Sequence, residues 1–196
     1  MHDNTRQPIA PPPAPGWRLF ALDAVSARAM ESQLSDIYVT TFSGPPYHRN
    51  QVHLLDHFHQ TFPRYRQRES FRGVAAAVEG ELVGMAYGYH SQPGQWWHDR
   101  VAEALSPVQR ALWLRDAFEL AELAVRPAWQ GRGIGGAVHD ALLRGVPQRA
   151  ALLSTLDVPS VARQLYERRG WQTLIASHRF TRGGRPYRIL GLWLAD

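Results

Sequence analysis

The feature that most constrains this chain is residues 118–143, where an apolar segment is followed by a turn and a glycine-rich segment. Residues 118–125 are mostly apolar and end before Arg126-Pro127, where proline cannot donate a ladder hydrogen bond. After the glycines, apolar residues recur at helical spacing: Ile134, Val138, Leu142 and Leu143. The segment therefore predicts a central β-strand, a loop and an α-helix in succession.

The glycine loop, residues 131–136, is predicted to form the N-terminus of that helix. Glycine allows positive φ and a close approach of ligand to backbone. Unpaired N–H groups and the positive end of the helix dipole make a helix N-terminus a ready phosphate site. Arg132 lies within the loop and would add positive charge.

The spacing Gly131-x-Gly133-x-x-Gly136 also satisfies the dinucleotide-binding fingerprint, with Asp157, about 20 residues further on, as a candidate ribose ligand. In that fold, however, the glycines follow their strand almost directly, whereas here residues 126–130 intervene. The remaining 60 residues are also too few for the rest of a doubly wound domain. This alternative is therefore the less favoured one.

Gln130-x-x-Gly133-x-Gly135 resembles the Q/R-x-x-G-x-G/A signature of the GNAT N-acetyltransferases, and it lies between a strand and a helix as it does in that family. Residues 161–173 also resemble the family's A-x-x-x-Y-E-x-x-G-F segment, with Trp171 in place of Phe. The resemblance implies a strand that pairs with the pantetheine arm of acetyl-CoA and a loop that cradles its pyrophosphate. The implied coenzyme-binding residues are Leu123, Ala124, Val125, Gln130, Gly131, Arg132, Gly133, Ile134, Gly135 and Gly136.

The resemblance also implies direct attack of an acceptor amine on the acetyl thioester, which needs a base for the ammonium proton. Glu119, four residues before Leu123, is the favoured base, and Glu122 is the alternative. Simple strand alternation puts the two carboxylates on opposite faces, unless a bulge intervenes. A purely structural alternative is that one of them pairs with Arg115 or Arg126.

The leaving thiolate needs an acid, and Tyr166 matches the tyrosine that serves as general acid across much of the family. A phenol with an ordinary pKa stays protonated at neutral pH and can donate. The structural alternative is that Tyr166 only packs at a helix end. Many members carry an asparagine seven residues earlier, where this chain has Pro159.

The order of elements predicts an α/β protein: a GNAT fold with a mixed central β-sheet flanked by helices, in a single domain over residues 17–196. Residues 1–16 hold a proline cluster and are predicted to form a flexible arm. Strands are predicted at residues 17–22, 71–78, 81–90, 118–125, 150–156, 171–180 and 187–194, and helices at 25–42, 50–62, 101–112, 134–143 and 159–169.

His53 and His57 lie at i and i+4 of the second predicted helix, a spacing that can bind a metal. No carboxylate pattern such as H-E-x-x-H accompanies them, so they are expected at the surface and no metal is expected. In the family this region commonly lines the acceptor site, which Tyr47 would also shape. In the long connection at residues 91–112, Trp96 and Trp97 either line an acceptor lid or anchor the loop.

The net charge of +5 is uneven, because the part from Arg126 onward has eleven arginines against four acids. That half suits an anionic cofactor, and equally an acyl carrier protein or a nucleic acid, although no nucleic-acid signature is present. The absence of cysteine excludes disulfides and thiolate chemistry. No apolar run is long enough to span a membrane and no signal peptide pattern precedes the fold, so a cytoplasmic protein is expected.

These observations favour an N-acetyltransferase that transfers acetyl from acetyl-CoA to a primary amine in a ternary complex. Two alternatives stay open: a GNAT-fold acyltransferase using another acyl-CoA or an acyl carrier protein, and a non-catalytic acyl-CoA-binding module. The slightly acidic first part of the chain favours a small-molecule or peptide amine that is cationic. A homodimer would be ordinary for the family.

Overall fold

A computed structural model describes residues 16–68 and 70–194, so residues 1–15 of the predicted arm lie outside the described part. In chain order the elements are β1 (Arg18–Leu22), α1 (Ala24–Ala29), α2 (Glu31–Ser43), α3 (Gln51–Arg66), β2 (Arg72–Val78), β3 (Glu81–Ser91), α4 (Trp96–Ala104), α5 (Pro107–Trp113), β4 (Ala117–Val125), a 3-10 turn (Pro127–Trp129), α6 (Ile134–Leu143), β5 (Ala150–Leu156), α7 (Val161–Arg168), β6 (Gln172–His178) and β7 (Tyr187–Trp193).

The strands form one sheet in the order β1-β2-β3-β4-β5-β7-β6. Within the described residues β4 and β5 are parallel, and every other neighbouring pair is antiparallel. The predicted mixed α/β sheet is confirmed.

The dinucleotide-binding alternative is wrong, because a doubly wound fold needs successive parallel strands. Asp157 instead pairs with Arg188 and accepts a hydrogen bond from Ser177.

The parallel pair β4–β5 stays together for only a short distance. Its register runs from Ala117–Ala150 to Glu119–Leu152, after which the two strands separate. Both strands continue beyond that point, to Val125 and Leu156 respectively. The two strands therefore splay apart beyond Glu119 and Leu152, and the splay opens a cleft in the middle of the sheet.

Helices cover both faces of the sheet and separate the core into layers. On one face α6 buries Ile134, Val138 and Leu142, spaced four residues apart and each fully buried. Burying side chains of this size contributes roughly 2 kcal/mol each. On the other face α2 and α3 pack an aromatic-rich layer that includes Phe58 and Phe62.

Among the described residues, the helices are each too short or too polar to cross a membrane.

Two of the predicted helices have different limits in the structure. The helix predicted at residues 25–42 is broken at Met30, which ends α1 and precedes α2. The helix predicted to end at residue 62 continues to Arg66 with Pro63 inside it. Tyr65 packs against the same aromatic layer as Phe62, so tertiary packing offsets the hydrogen bond that Pro63 cannot donate.

The connection predicted to hold one short helix holds two, α4 and α5. Ser106 accepts a hydrogen bond from the Gln109 amide at 3.2 Å, and the Gln109 side chain accepts one from the Ser106 amide. With Pro107 at the first helical position, this capping box begins a new helix where a continuous one was expected.

Candidate active site

The cleft wall formed by β4 contains a β-bulge. Tyr87 of β3 pairs with Glu122, but the next residue, Gly88, pairs with Leu120, so Ala121 is an extra residue in β4. A Cβ built on Gly88 would lie 2.2 Å from the carbonyl oxygen of Glu119. The close approach of the two strands at the bulge therefore requires glycine.

The bulge brings Glu119 and Glu122 to the same face of the sheet. Glu119 pairs with Tyr89 and Glu122 with Tyr87, and these tyrosines are two residues apart on β3. Residues two apart on a strand share a face. The opposite-face arrangement that simple alternation predicts is therefore wrong, because the bulge adds one residue to β4 between Glu119 and Glu122.

Glu119 is the more deeply buried of the two, with 5% of its surface exposed. Its Oε1 accepts a hydrogen bond from the Tyr89 hydroxyl at 3.0 Å, and the Arg68 guanidinium stacks on the Tyr89 ring at 3.8 Å. Burial raises the pKa of the Glu119 carboxyl to about 7, against the opposing effects of Tyr89 and Arg68. Glu119 lines a small cavity of about 120 Å³.

Glu122 is partly exposed and lines both that small cavity and the main cleft. Burial raises the pKa of its carboxyl to about 8, while the nearby Arg49 acts in the opposite direction. Arg126, a candidate partner for these carboxylates, pairs instead with Asp36 at 2.5 Å. Arg115, the other candidate, lines a separate surface pocket.

The main cleft, of about 530 Å³, lies between the diverging strands. Residues Leu120 to Leu123 of β4 form one wall, and Leu153 to Leu156 of β5 form another. Tyr166 of α7 lines the same cleft and is 6% exposed. Burial raises the pKa of its phenol well above the ordinary value, so the hydroxyl is protonated at neutral pH.

Tyr166 is held by a helix whose start the sequence marks clearly. The Ser160 side chain accepts a hydrogen bond from the Arg163 amide at 3.1 Å and so caps α7, directly after Pro159. The helix therefore begins at Val161, two residues later than the predicted start at residue 159, and Pro159 lies outside it. Tyr166 falls in the last turns of α7, on the side facing the cleft.

The glycine loop is built as a helix N-terminus. Gly131 and Gly133 have φ of 75° and 82°, and Gly133 is the residue that precedes the first helical position of α6. In the described structure no side chain caps α6, so its first-turn N–H groups point into the loop. The Ile134 side chain is fully buried, so this residue can offer a ligand only its backbone.

The Gln130 side chain, next to the glycine loop, attaches it to the end of β4. The Gln130 amide donates to the Val125 carbonyl at 3.0 Å, and that carbonyl also accepts from the Thr41 hydroxyl at 3.2 Å. Arg132 stacks over the Trp129 ring at 4.6 Å. The loop is thus held close to the end of β4.

Residues 32–171, well over half of the chain, match the family model described as the acetyltransferase (GNAT) family. The chain belongs to the GNAT acetyltransferase family. A GCN5-like protein acetyltransferase of Mycobacterium tuberculosis is 36% identical over 126 residues. That alignment covers 60% of this chain and 61% of the relative, so less than two thirds of either protein is matched.

Solved structures share the GNAT fold at low sequence identity. The ribosomal-protein-S18-alanine N-acetyltransferase of Escherichia coli is 18% identical, with a TM-score of 0.60 over 92% of this chain and 95% of that one. The PaiA N-acetyltransferase of Thermoplasma acidophilum, solved in complex with coenzyme A, is 10% identical. Its TM-score is 0.60 over 91% of this chain and 99% of that one.

The strand tripeptide Leu123-Ala124-Val125 of this GNAT chain has one paired edge. On that side it pairs with Ala86, Met85 and Gly84 of β3. On the side facing β5, no strand of the described part pairs with it. Leu123 lines the cleft, whereas Ala124 is buried. The Val125 carbonyl already accepts two side-chain hydrogen bonds, so it is the least free of the three to bind a ligand.

The cleft is also lined by residues that the sequence analysis named as candidates for shaping the acceptor site. Tyr47, His57, Trp96 and Trp97 line it. Trp97 donates from Nε1 to the Ser154 hydroxyl at 3.1 Å and so anchors α4, while Trp96 is 58% exposed and contacts Phe180. His53 is exposed on α3 and does not line the cleft.

Arg185 bridges the cleft mouth and was not identified from the sequence. Its guanidinium donates to the carbonyls of Tyr47 and Pro46, at 2.8 and 3.0 Å, across 138 residues of chain. Nothing in the local pattern around Arg185 indicates this contact. The same is true of Tyr38 and Arg49, which line the cleft and share a hydrogen bond of 3.3 Å.

Proposed function

We propose that this GNAT protein transfers an acetyl group from acetyl-CoA to a primary amine by direct attack in a ternary complex. The observation that carries the proposal is the cleft between β4 and β5, which is lined by Glu122 and Tyr166, with the glycine loop following β4 at the start of α6. The name of the M. tuberculosis relative, a protein acetyltransferase, and the coenzyme A bound by the T. acidophilum protein support the same activity.

Coenzyme binding would use backbone groups more than side chains. The β5-facing edge of Leu123 and Ala124 is available for hydrogen bonds to the amides of the pantetheine arm. The first-turn N–H groups of α6, with the positive end of its dipole, suit the pyrophosphate. Arg132 adds charge at the same end, although its stacking on Trp129 must be retained or exchanged on binding.

The two carboxylates would divide the work of removing the ammonium proton. Glu122 lines the main cleft and is the residue that an acceptor amine can contact directly. Glu119 lines the small cavity behind it, so it would take the proton through a water molecule. We therefore favour Glu122 as the direct base and Glu119 as the more buried partner. A base with a pKa near the working pH is effective in this role.

Tyr166 would return the proton to the coenzyme. When the amine nitrogen forms its bond to the carbonyl carbon and the carbon–sulfur bond breaks, the sulfur leaves as a thiolate. The Tyr166 hydroxyl, protonated because burial raises its pKa, can donate to that thiolate. The ammonium loses two protons in forming the amide. Glu122 accepts the first before attack, and the second, released from nitrogen as the carbon–sulfur bond breaks, replaces the proton that Tyr166 gives to sulfur.

The test is calorimetric titration with acetyl-CoA, CoA and NAD, followed by an acetylation assay on a panel of primary amines. Micromolar binding of acetyl-CoA, about −8 kcal/mol, with acetylated product and free CoA would support the proposal. Binding without turnover of any amine would favour the acyl-CoA-binding module. Binding of CoA but turnover only with longer acyl donors, or with acyl carrier protein, would identify a different donor.

A further inference from the structure

Behind Tyr166 lies a hydrogen-bonded chain of side chains that the proposed chemistry does not use. Trp171 donates from Nε1 to Nε2 of His139 at 3.0 Å. Nδ1 of His139 lies 2.7 Å from Oδ1 of Asp140, and Arg169 donates to both Asp140 oxygens, at 2.6 and 2.8 Å. These hydrogen-bonded side chains join three segments: α6, the end of α7 and the start of β6.

The chain of contacts fixes the state of His139. An indole N–H can only donate, so Nε2 of His139 must be an unprotonated acceptor. Nδ1 therefore carries the proton and donates it to Asp140. His139 is 3% exposed, and burial lowers the pKa of its imidazole, which favours this neutral form. A protonated His139 would direct one N–H against another.

The two rings at the buried end of the chain support the Tyr166 ring. The ring centroids of Tyr166 and Trp171 are 5.7 Å apart at 63°, an edge-to-face contact. Those of Tyr166 and His139 are 6.3 Å apart. Because Tyr166 lines the cleft on its other side, the orientation of its hydroxyl depends on where these two rings are held.

Arg169, at the exposed end of this row of hydrogen-bonded side chains, packs against the glycine loop. A Cβ built on Gly136, in the first turn of α6, would lie 2.3 Å from a terminal nitrogen of Arg169. The guanidinium therefore packs directly on the backbone of that turn. Gly136, which the family resemblance assigns to coenzyme binding, also makes room for Arg169.

We propose that His139, Trp171, Asp140 and Arg169 form a positioning network that holds the Tyr166 hydroxyl in the orientation needed to donate to the leaving thiolate. The inference rests on the proposed function and adds a role for four residues outside the reacting groups. Trp171 occupies the position where the family motif has Phe, and a phenylalanine could not donate to His139. The hydrogen bond to His139 therefore depends on the tryptophan that this chain has at position 171.

The test is a double-mutant cycle between Trp171→Phe and Tyr166→Phe. Trp171→Phe keeps a ring against Tyr166 but removes the donor to His139. It should lower kcat about fivefold, equivalent to ~1 kcal/mol, with an unchanged KM for acetyl-CoA. In the Tyr166→Phe background the same change should have no further effect on kcat, because the group being positioned is gone.

Trp113→Phe is the matched control, since Trp113 is as buried as Trp171, at 6%, but lies in a core cluster that does not contain Tyr166. It should leave kcat unchanged. Asp140→Asn tests the network from its exposed end, where the Asp140 side chain is 52% exposed, and should give the same selective loss of kcat. Independently of activity, the ¹⁵N shifts of His139 should report the neutral Nδ1–H form at neutral pH.

Effects of Trp171→Phe and Tyr166→Phe that multiply would overturn the positioning role while leaving Tyr166 as the acid. A Nε2–H form of His139 would overturn it as well. If Tyr166→Phe alone leaves turnover intact, the general-acid proposal fails first and the positioning role fails with it. The three outcomes are distinguishable, because the first is seen in the double variant, the second in the ¹⁵N spectrum and the third in the single Tyr166→Phe variant.

Discussion

At the scale of single residues, the two buried carboxylates show how surroundings change the chemistry of a side chain. Glu119 and Glu122 are ordinary acids in the unfolded chain, with a pKa near 4.5, but folding raises the pKa values to about 7 and about 8. Removing water from a carboxylate disfavours its charged form. Both groups therefore titrate in the range where an acetyltransferase would have to work.

Replacing each carboxylate by its amide should separate their roles through the pH dependence of kcat/KM. Glu122→Gln should reduce kcat/KM by about 10²-fold and remove the rise in rate that has its midpoint near pH 8. Glu119→Gln should have a smaller effect and leave that rise in place. Both variants are measured with one acceptor, so the titration of the amine itself is common to them. The reverse ranking would assign the base to Glu119.

Glu119→Gln should also make the folded state more stable at alkaline pH. The folded pKa is raised, so the folded protein binds the proton more tightly than the unfolded chain, and stability falls as pH rises through about 7. The neutral amide avoids that loss and still accepts from Tyr89. Urea unfolding should show a gain of about 3 kcal/mol above pH ~8 and almost none near pH ~4. An equal gain at both values would contradict the raised pKa.

Tyr166→Phe should lower kcat by about 10- to 100-fold with little change in coenzyme affinity, because the variant keeps the ring and loses only the donor. Stopped assays of CoA release, with calorimetry on the same sample, measure the two quantities separately. Tyr47→Phe is a suitable comparison, since Tyr47 also lines the cleft. An equal loss in both variants would mean that general polarity of the cleft matters and not a specific proton donor.

At the scale of elements, α6 and its loop are the part that we propose binds the coenzyme phosphates through backbone geometry. Gly133 precedes the helix at φ 82°, a conformation that other residues adopt only with strain. Gly135 is different, because a Cβ there would meet its nearest neighbour at an ordinary 3.8 Å. With Gly131 at φ 75°, the loop thus contains two glycines required by backbone conformation, whereas the space around Gly135 does not require one.

Gly135 therefore offers a matched pair of variants for coenzyme binding. Gly135→Ala fits the available space and should leave folding intact, with at most a few-fold loss of affinity. Gly135→Asp also suits the first turn of a helix, but its carboxylate would repel the coenzyme phosphates. Calorimetry should detect no acetyl-CoA binding to the Asp variant, at an unchanged melting temperature. Retained binding would remove the loop from the phosphate site.

At the scale of the whole molecule, the cleft exists because the sheet divides into two halves that lose contact after Glu119 and Leu152. Side chains from both sides meet again at the mouth, through Arg185 and through the contact of Trp96 with Phe180, whose ring centroids are 5.5 Å apart. A ligand lying in the cleft would add contacts to both halves. Coenzyme binding is therefore expected to stabilise the entire fold.

Acetyl-CoA at a hundredfold excess over its Kd should stabilise the folded state by about 2.7 kcal/mol. For a chain of this length the melting temperature should rise by roughly 5–10 °C. Differential scanning fluorimetry can compare acetyl-CoA with NAD at matched concentration, and the Gly135→Asp variant should show no shift with either. A shift with NAD alone would contradict the proposed donor.

The secondary-structure elements of this protein, and their order along the chain, could be predicted from the amino-acid sequence. The strand, loop and helix at residues 118–143, the hairpin at β2–β3 and the closing strands all follow from hydrophobic period, proline and glycine, which act over a few residues. The glycine loop was located in the same way, whereas Tyr166 was named from the resemblance of its segment to a family motif; both motifs are contiguous in the sequence. The break at Ser106 was missed although its capping box is also local, since the periodic apolar residues on both sides suggested one helix.

Tertiary structure alone decided how the separate pieces meet. The bulge that unites Glu119 with Glu122 depends on β3, some 30 residues earlier, whose Gly88 permits the close approach. Arg185 meets Pro46 and Tyr47 across the length of the fold, and Trp171 meets His139 over 32 residues. Such contacts leave no periodic trace in sequence, because they arise from packing between elements. The sequence by itself determined the elements and the loop that suits phosphate, and the folded chain determined which side chains face the cleft together.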